Sequence, residues 1–404
     1  MNPKVYEGLV SRPMSIRFPD GFLWGTATAA HQTEGGNWNN DWWAWEHAPN
    51  TPCVEPSGDA TAHFWRYPGD LDLLAELGFK AYRVSLEWSR IEPEEGEFST
   101  AALDHYSRML DACLARDLVP VVTFHHFTSP RWVAADGGWT EARTAERFAR
   151  FCERAVARLG DRIVIGCTIN EPNVVSLIGW MIGAFPPGHQ RDLEGYAQAN
   201  DVLLDAHRRS YDVLKAGPGD FPLGLTLSMS DWADEDGDAT RIDEYRRVHE
   251  DFFLEGARGD DYLGVQSYSR TRVGAEGVLG PETGVEVLSM GYEYWPTAAE
   301  ASIRHAAEVA QTPLYVTENG IGTDDDDQRI RYLRDSLAGV ARTIDEGYDV
   351  RGFFHWSLMD NFEWAFGYMM RFGLLAVDRE TQARTVKPSG RWLSQVVTSN
   401  ELDT

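Results

Sequence analysis

Cysteine and basic residues are scarce in this 404-residue chain. The four cysteines, Cys53, Cys113, Cys152 and Cys167, lie far apart and lack the paired spacing of a zinc site or a disulfide scaffold. Lys and Arg number 37 against 63 Asp and Glu, which gives a formal net charge of −26. Because such a charge repels phosphate groups and anionic lipid surfaces, we expect no nucleic-acid partner.

Long apolar runs are absent as well. No run of about eighteen apolar residues, the length that a membrane-spanning helix needs, occurs in the chain. The first twenty residues contain Lys4, Glu7, Arg12 and Arg17, which do not fit the apolar core of a secretory signal. We therefore expect a cytoplasmic protein without a membrane partner.

The chain does contain a regular alternation of strand-like and helix-like segments. Eight short runs rich in β-branched or aromatic residues fit buried parallel strands. They cover residues 22–28, 80–85, 119–126, 163–170, 222–229, 262–268, 313–318 and 351–357. Amphipathic patterns between them predict helices, among them 101–116, 141–159, 194–215, 241–257, 297–310 and 328–346. Eight such units predict an α/β fold, a single (β/α)8 TIM barrel that forms one catalytic domain over residues 1–404.

An open doubly wound sheet would show the same alternation. Its phosphate-binding loops, however, carry GxGxxG or GxxxxGK, and neither pattern follows any of the eight strands. The barrel is therefore the better interpretation.

Polar residues follow nearly every predicted strand. They are His31, Gln32, Glu34, Arg83, Glu87, His125, His126, Asn170, Glu171, Ser228, Asp231, Tyr268, Glu318, Asn319, Trp356 and Glu363. Each one alone is explained at least as well by a structural hydrogen bond. Together they predict an active site, because the loops at the C-terminal ends of barrel strands build such sites.

Two carboxylates in this set suit the cleavage of a glycosidic bond. That reaction needs one acid to protonate the leaving oxygen and one carboxylate to face the developing oxocarbenium carbon. Glu171 ends the fourth strand and Glu318 ends the seventh, so both can reach one bond across the barrel mouth. His125 and His126 are adjacent on one strand and must point to opposite faces, so we expect no metal and no other cofactor.

Tryptophan is the second indication of a sugar site. Many of the 15 tryptophans lie near the predicted strands and loops, namely Trp24, Trp38, Trp88, Trp132, Trp180, Trp232, Trp295, Trp356 and Trp364. Sugar faces stack on indole rings, although core packing is the better explanation for any single tryptophan. The acidic run at 324–327 is interpreted as a solvated loop rather than a calcium site.

Five segments in order resemble glycoside hydrolase family 1. They are FPDGFLWGTATAAHQTEG (18–35), YRVSLEWSRIEPEEG (82–96), TINEPN (168–173), YVTENGIG (315–322) and FFHWSLMDNFEWAFGYMMRFGL (353–374). The NEP motif by itself also occurs in related barrel glycosidases and is therefore only moderately specific. The five segments together extend over nearly the whole chain.

The resemblance implies a retaining β-glycosidase, with β-glucosidase as the first expectation, acting on a small glycoside or a short oligosaccharide. It casts Glu171 as the acid/base, Glu318 as the nucleophile, Arg83 as the cation beside the nucleophile and Tyr268 as its hydroxyl partner. Asn170 would hold the sugar 2-hydroxyl. The remaining sugar contacts implied are Gln32, His126, Glu363 and Trp364 as hydroxyl binders, with Trp356 as the stacking floor. Family members that take 6-phosphorylated sugars carry serine and lysine where this chain has Glu363, so unphosphorylated sugars are expected.

Alternatives and departures limit what the resemblance implies. β-Galactosidase, β-fucosidase or transglycosidase activity could use the same pocket, and a non-catalytic carbohydrate-binding protein is an alternative of another class. Phe127 stands where most members have tryptophan, and Gln266 and Ser267 stand where an asparagine and an aromatic are usual. The short chain suggests trimmed loops around 272–292 and 323–328, hence an open aglycone side that tolerates bulky aglycones. The natural aglycone, the linkage and the oligomeric state do not follow from the sequence.

Overall fold

A computed structural model of the protein describes residues 15–403, so most of the charged N-terminal segment considered above lies outside the described residues. Eight parallel strands close into a barrel. They are β1 (Leu23–Ala27), β2 (Ala81–Ser85), β3 (Val119–His125), β4 (Ile165–Asn170), β5 (Leu223–Asp234), β6 (Tyr262–Gly274), β7 (Leu314–Asn319) and β8 (Val350–Trp356). Each strand pairs with the next, and β8 pairs with β1. The predicted (β/α)8 barrel is confirmed.

Helices follow the strands and cover the outside of the barrel. The longer ones are α1 (His63–Glu76), α2 (Thr100–Leu114), α3 (Arg143–Leu159), α4 (Leu193–Ala216), α5 (Ala239–Arg246), α6 (Ala298–Ala310), α7 (Asp326–Asp345) and α8 (Pro388–Ser399). A π-helical turn, Arg247–Asp251, and a short helix, Phe252–Gly256, continue α5. Further short helices are Ala30–Thr33, Asp41–Glu46, Trp88–Ile91, Arg131–Ala135, Pro172–Ser176, the π-helix Leu177–Ile182 and the 3₁₀ turns Gly138–Thr140, Gly160–Arg162 and Trp364–Phe366. None of the described helices combines the length and the apolar character needed to cross a membrane.

The acidic run is a solvated loop, as predicted, only over the exposed residues Asp324 and Asp325. Asp325 caps the N-terminus of α7 by accepting a hydrogen bond from the Gln328 N–H, and Asp326 and Asp327 form its first turn. Carboxylates at this end of a helix satisfy free N–H groups and interact favourably with the helix dipole. The run therefore starts a helix.

Two strands extend beyond the barrel rim. β5 and β6 were expected to end near residues 229 and 268, but their pairing continues from Asp231 opposite Arg270 to Asp234 opposite Val273. A two-residue strand, Gly277–Val278, then turns back on β6. This ribbon forms part of the wall above the C-terminal ends of the strands.

The opposite end of the barrel is closed by the described termini. Ser15–Arg17 pairs antiparallel with Glu401–Asp403. A separate small pair, Leu375–Val377 with Arg384–Val386, lies instead after the loop that follows β8. Trp24, at the start of β1, donates its indole N–H to Asn400 at 2.8 Å. Trp24 therefore belongs to the bottom of the barrel and not to the site at its mouth.

Candidate active site

The cavity at the C-terminal ends of the strands has a volume of about 860 Å³. Eight of the ten predicted site residues line it, namely Gln32, His126, Glu171, Tyr268, Glu318, Trp356, Glu363 and Trp364. Arg83 and Asn170 are fully buried beneath it and are joined to its lining by hydrogen bonds. The structure thus brings all ten residues to one place.

Glu318 lies among three side-chain donors, one from β2 across the barrel and two from the adjacent strand β6. The Arg83 guanidinium donates to its Oε1, and Gln266 Nε2 donates to the same oxygen at 2.8 Å. The Tyr268 hydroxyl donates to Oε2 at 2.6 Å. Hydrogen bonds to a charged acceptor are the strong ones, so this arrangement fixes the carboxylate and stabilises its negative charge.

The same donors orient Asn170. Its Oδ1 accepts from Arg83 Nη2 at 2.5 Å, from Gln266 Nε2 at 2.9 Å and from Thr226 Oγ1 at 3.0 Å. The amide NH₂ is thereby turned toward His126, with 3.3 Å between Asn170 Nδ2 and His126 Nε2. A carboxamide held in this way directs its donors to His126, which lines the cavity.

His126 is neutral. Burial, with Arg83 adding to the effect, lowers the pKa of His126 well below its usual value. Since Nε2 accepts from Asn170, the single ring proton must lie on Nδ1, and Nδ1 has no partner in the protein. His126 therefore carries a buried N–H at Nδ1 that finds no acceptor in the protein.

Glu171 contrasts with Glu318. It caps the short helix Pro172–Ser176 in a left-handed conformation, with φ of 45°, which is uncommon outside glycine. Burial first, and the charge of Glu318 second, raise the pKa of Glu171 well above its usual value.

Burial raises the pKa of Glu318 too, but Arg83, Tyr268 and Gln266 oppose that rise. Glu171 has only Arg83 at a distance and a hydrogen bond from Ser228 against its own rise. The pair is therefore arranged to hold one proton on Glu171 and the negative charge on Glu318.

A second polar group lies across the cavity. Gln32 Nε2 donates to the Phe362 carbonyl at 2.7 Å and to Glu363 Oε2 at 3.1 Å, which leaves Gln32 Oε1 without a partner. Burial and the charge of Glu318 raise the pKa of Glu363 to about 8. An unpaired amide oxygen beside a carboxyl group suits a ligand with several hydroxyl groups.

Aromatic rings form the remaining wall. The His126 ring stacks between Trp356 and Trp364, with centroids 5.9 Å and 6.2 Å away and interplanar angles of 21° and 13°. Of the tryptophans singled out in the sequence, Trp232, Trp356 and Trp364 line the cavity. Polar groups beside flat apolar faces match the two-sided character of a sugar ring.

Comparison with known proteins agrees with this geometry. The profile of "Glycosyl hydrolase family 1" matches residues 14–267 and 266–402. The chain belongs to glycosyl hydrolase family 1.

Relatives within the family are similar over almost the whole chain. The sequence is 33% identical over 442 aligned positions to β-glucosidase A of Thermotoga maritima, covering 96% of this chain and 99% of the relative. It is 33% identical to a β-glucosidase of an Agrobacterium species, covering 94% and 95%.

Solved structures agree with the curated relatives. The crystal structure of β-glycosidase BGL167 superimposes with a TM-score of 0.88 at 46% identity, covering 95% of this chain and 97% of that one. A Thermotoga maritima β-glucosidase in complex with deoxynojirimycin gives a TM-score of 0.87 at 31% identity, covering 95% and 99%. The chain is thus a glycosidase of family 1.

The departures from the usual family 1 pattern can now be placed. Phe127 lines the cavity and packs on Trp364, with centroids 5.0 Å apart, so it offers an apolar ring without an N–H. Ser267 faces outward, where its Oγ accepts from Ser302 at 2.9 Å. Gln266 faces inward and holds both Glu318 and Asn170.

Gln266 contacts both Glu318 and Asn170, although no role for it was predicted from the sequence. It lies two positions before Tyr268 on β6, and side chains two apart share one face of a strand. That spacing was the available signal. Thr226 on β5, which donates to Asn170, lacked any comparable signal.

Several other polar residues at the strand ends support the site without lining it. His125 faces the helices, with Nε2 3.3 Å from Ser129 Oγ. Asn319 Nδ2 donates to the Ser267 carbonyl at 2.7 Å. Gly320 then allows a close approach of the chain, because a Cβ there would lie 2.3 Å from the Trp356 carbonyl oxygen. These contacts lock the end of β7 against β6 and β8.

Proposed function

We propose that this chain is a retaining β-glucosidase that hydrolyses unphosphorylated β-D-glucosides with Glu318 as nucleophile and Glu171 as acid/base. The observation that carries the assignment is the unequal surroundings of the two glutamates. Three donors stabilise charge on Glu318, whereas burial and that same charge keep a proton on Glu171. The β-glucosidase relatives support the substrate class.

In the first step Glu171 donates its proton to the glycosidic oxygen. Glu318 attacks the anomeric carbon, the bond from that carbon to the leaving oxygen breaks, and the bond's electron pair goes to the oxygen that receives the proton. An ester links Glu318 to the sugar. Arg83, Tyr268 and Gln266 hold the attacking carboxylate in place.

In the second step the roles change because a charge has disappeared. Once Glu318 is esterified, its charge no longer raises the pKa of Glu171, so Glu171 is a better base. It accepts a proton from water, the water oxygen attacks the anomeric carbon, and the ester breaks to regenerate Glu318. Two inversions give net retention, and this geometry calls for carboxyl groups about 5 to 5.5 Å apart.

The other predicted residues would bind the sugar. We assign Asn170 to the 2-hydroxyl, because it shares the Arg83 guanidinium with Glu318 and its amide donors face His126 in the cavity lining. Gln32, His126, Glu363 and Trp364 would bind the remaining hydroxyls and Trp356 would form the stacking floor. A carboxyl such as Glu363 can engage two hydroxyls at once.

A second candidate concerns the sugar rather than the mechanism. A bifunctional β-D-glucosidase/β-D-fucosidase of Bifidobacterium breve is 33% identical and covers 95% of this chain. Changing one sugar hydroxyl costs a few kcal/mol only where a buried partner is left unpaired. β-Fucosidase, β-galactosidase or transglycosidase activity therefore stays an alternative in the same pocket. A non-catalytic carbohydrate-binding role leaves the paired glutamates and their donors without purpose.

The test is release of nitrophenol from a panel of nitrophenyl β-glycosides by wild-type protein and by Glu318→Ala, without added metal. Activity on the glucoside that disappears in the variant supports the proposal, and the panel ranks glucose against fucose and galactose. The anomer formed first, read by NMR, should be β. Silence across the panel in folded wild-type protein, or an α-anomer as first product, would refute it.

Further parts of the proposal concern the substrate's other half and the protein as a whole. A more open aglycone side stays a prediction; the aligned length with the Thermotoga relative exceeds 404 residues, so that relative carries insertions that this chain lacks. Substrates would be small glycosides or short oligosaccharides. One catalytic domain over the whole chain and a cytoplasmic location stay predictions, which limited proteolysis and cell fractionation would test.

A further inference from the structure

A second cavity, here called the outer pocket, lies outside the barrel beside the loop that follows the short helix Ala30–Thr33. Its volume is about 420 Å³, within the range of about 300–1,000 Å³ that is usual for small-molecule sites. Its walls come from that loop, from the first turns of α1 and α2 and from the helix Trp88–Ile91. Within the described part of the chain, it shares no lining residue with the catalytic cavity.

Two exposed tryptophans line the outer pocket. Trp38 is 61% exposed and Trp65 is 77% exposed. All 15 tryptophans lie within the described residues, and these two are the only exposed ones among them. Large apolar side chains left in water at one place mark a surface that a ligand or a partner covers.

The floor of the outer pocket is aromatic and held by further contacts. The His105 ring lies flat on the Phe64 ring, with centroids 3.6 Å apart and 9° between the planes. The Arg90 guanidinium lies 4.5 Å from the centroid of Phe64, and its Nε donates to Glu34 Oε2 at 2.8 Å. Because these contacts order the floor before a ligand arrives, little conformational entropy is lost on binding.

Two residues of the outer pocket carry a buried polar atom that has no partner in the described chain, namely Asn37 Oδ1 and His105 Nε2. Asn37 is held in place, because its Nδ2 donates to Glu87 Oε2 at 2.6 Å. Burial first, then the charges of Arg108 and Arg90, lower the pKa of His105 to about 4, so its ring is neutral near pH 7. A buried polar atom without a partner is costly, and a ligand group can remove that cost.

The polar groups of the outer pocket favour one chemical class of ligand. Asn37 Oδ1 can only accept hydrogen bonds, whereas the exposed guanidinium of Arg108 can only donate them. A hydroxyl group does both, while a carboxylate only accepts and would leave Asn37 unsatisfied. A pyranose ring combines hydroxyl groups with an apolar face that stacks on indole.

We propose that the outer pocket is a second saccharide-binding site, in which Trp38 and Trp65 stack on sugar rings and Arg108 and Asn37 bind hydroxyl groups. The described residues that line it include no Asp or Glu, so it binds a saccharide without cleaving it. This site is independent of the roles proposed for Glu171 and Glu318.

Fluorine NMR of protein labelled with fluorotryptophan tests the site one side chain at a time. The protein carries Glu318→Ala so that the saccharide stays intact, and Trp38→Phe and Trp65→Phe assign the two resonances. We expect cellotetraose to shift both resonances along one binding curve, with a Kd of about 1 mM or lower. Glycerol has hydroxyl groups but no flat apolar face, so it should leave both resonances in place.

Variants then identify the contacts. Trp65→Ala should weaken binding, read at the Trp38 resonance, by about tenfold or more, and Arg108→Met by about three- to tenfold. Leu193→Ala is the matched control, because Leu193 is 69% exposed and lines neither cavity, and it should leave the curve unchanged. With Glu318 intact, Trp65→Ala should hydrolyse nitrophenyl β-glucoside at the wild-type rate.

Three results would overturn the proposal. The first is that the Trp38 and Trp65 resonances stay in place at about 10 mM cellotetraose or move as far with glycerol. The second is that Trp65→Ala binds as well as Leu193→Ala. The third is that both resonances shift on dilution of the protein and ignore cellotetraose, which would show that a second copy of the chain covers the outer pocket. Protein that binds cellotetraose here but cleaves no glycoside would refute the proposed function and support the outer pocket.

Discussion

The end of β7 and the end of β4 each present one glutamate to the same cavity, in different surroundings. At β7, Glu318 accepts from Arg83, Gln266 and Tyr268, which reach it from β2 and β6. At β4, Glu171 is buried without a cation of its own, and its pKa is raised well above the usual value. The same side chain is thereby suited to be an anion at one place and a proton donor at the other.

This difference arises from the side chains that β2 and β6 supply rather than from the two glutamates. Arg83 bonds Glu318 and Asn170 at once, and Gln266 does the same from the other side. The donors are therefore in place before substrate binds, so little reorganisation is needed when charge moves.

Removing the Glu318 carboxylate should have the largest effect on activity. Glu318→Ala deletes the nucleophile, and we expect kcat to fall by about 10⁴-fold or more on nitrophenyl β-glucoside. Glu153→Ala is the matched control, because Glu153 is exposed on α3. Thermal unfolding of both variants would confirm that they are folded. A loss below tenfold would show that another group attacks the sugar.

Removing the proton donor should have a smaller effect that depends on the substrate. Glu171→Gln should lower kcat/KM by about 10²- to 10⁴-fold for alkyl glucosides and less for nitrophenyl glucoside, whose leaving group needs little protonation. Glu171 acts in its protonated form, so wild-type activity falls as pH rises through its pKa. That basic limb should disappear in the variant. Equal losses for both leaving groups, or an unchanged limb, would contradict the role.

Removing one of the hydrogen bonds to the Glu318 carboxylate should have a moderate effect on activity. Gln266→Leu removes one hydrogen bond to a charged carboxylate, so we expect a loss of about 10- to 100-fold in kcat. Because that donor lowers the pKa of Glu318, its loss raises this pKa and moves the acid limb of the pH profile to higher pH.

Ser267→Ala serves as the neighbouring control for that experiment. Its side chain faces α6 and makes no contact with the cavity lining, so the acid limb should stay in place. Gln266→Asn shortens the side chain but keeps the amide, and it should retain more activity than the leucine variant. An acid limb that stays put in Gln266→Leu would show that the Gln266 bond does not tune Glu318.

The barrel and its two glutamates were predictable because local patterns encode them. Buried parallel strands appear as short apolar runs, and the residue that ends such a run faces the mouth. Glu171 and Glu318 both occupy that position. The six predicted helices lie within a few residues of their observed bounds, since amphipathic periodicity is a property of the segment itself.

The features that could not be predicted from the sequence depend on contacts between distant segments. The role of Gln266 follows from the pairing of β6 with β7, which places Gln266 beside Glu318. The extension of β5 and β6 beyond the rim, and with it the position of Trp232, depends on how the two strands pair above the barrel. Composition near a strand could not tell Trp24 at the bottom from Trp356 at the mouth.

Glu250, a third buried carboxyl group in the cavity, shows the effect of burial on a pKa at a residue that takes no part in the proposed reaction steps. Burial raises the pKa of Glu250 to about 7, against hydrogen bonds from Trp232 and the Ser230 N–H. The folded-state pKa therefore lies above the unfolded value near 4.5, so this group costs stability progressively as pH rises from about 4.5 to about 7. Glu250→Gln removes this titration. Its free energy of unfolding relative to wild type should therefore rise by on the order of 2 kcal/mol from pH 5 to pH 8, which corresponds to a few degrees in Tm. Thermal unfolding of both proteins at pH 5 and pH 8 checks this. A difference in Tm between variant and wild type that does not change with pH would show that burial alone does not raise a carboxyl pKa in this cavity.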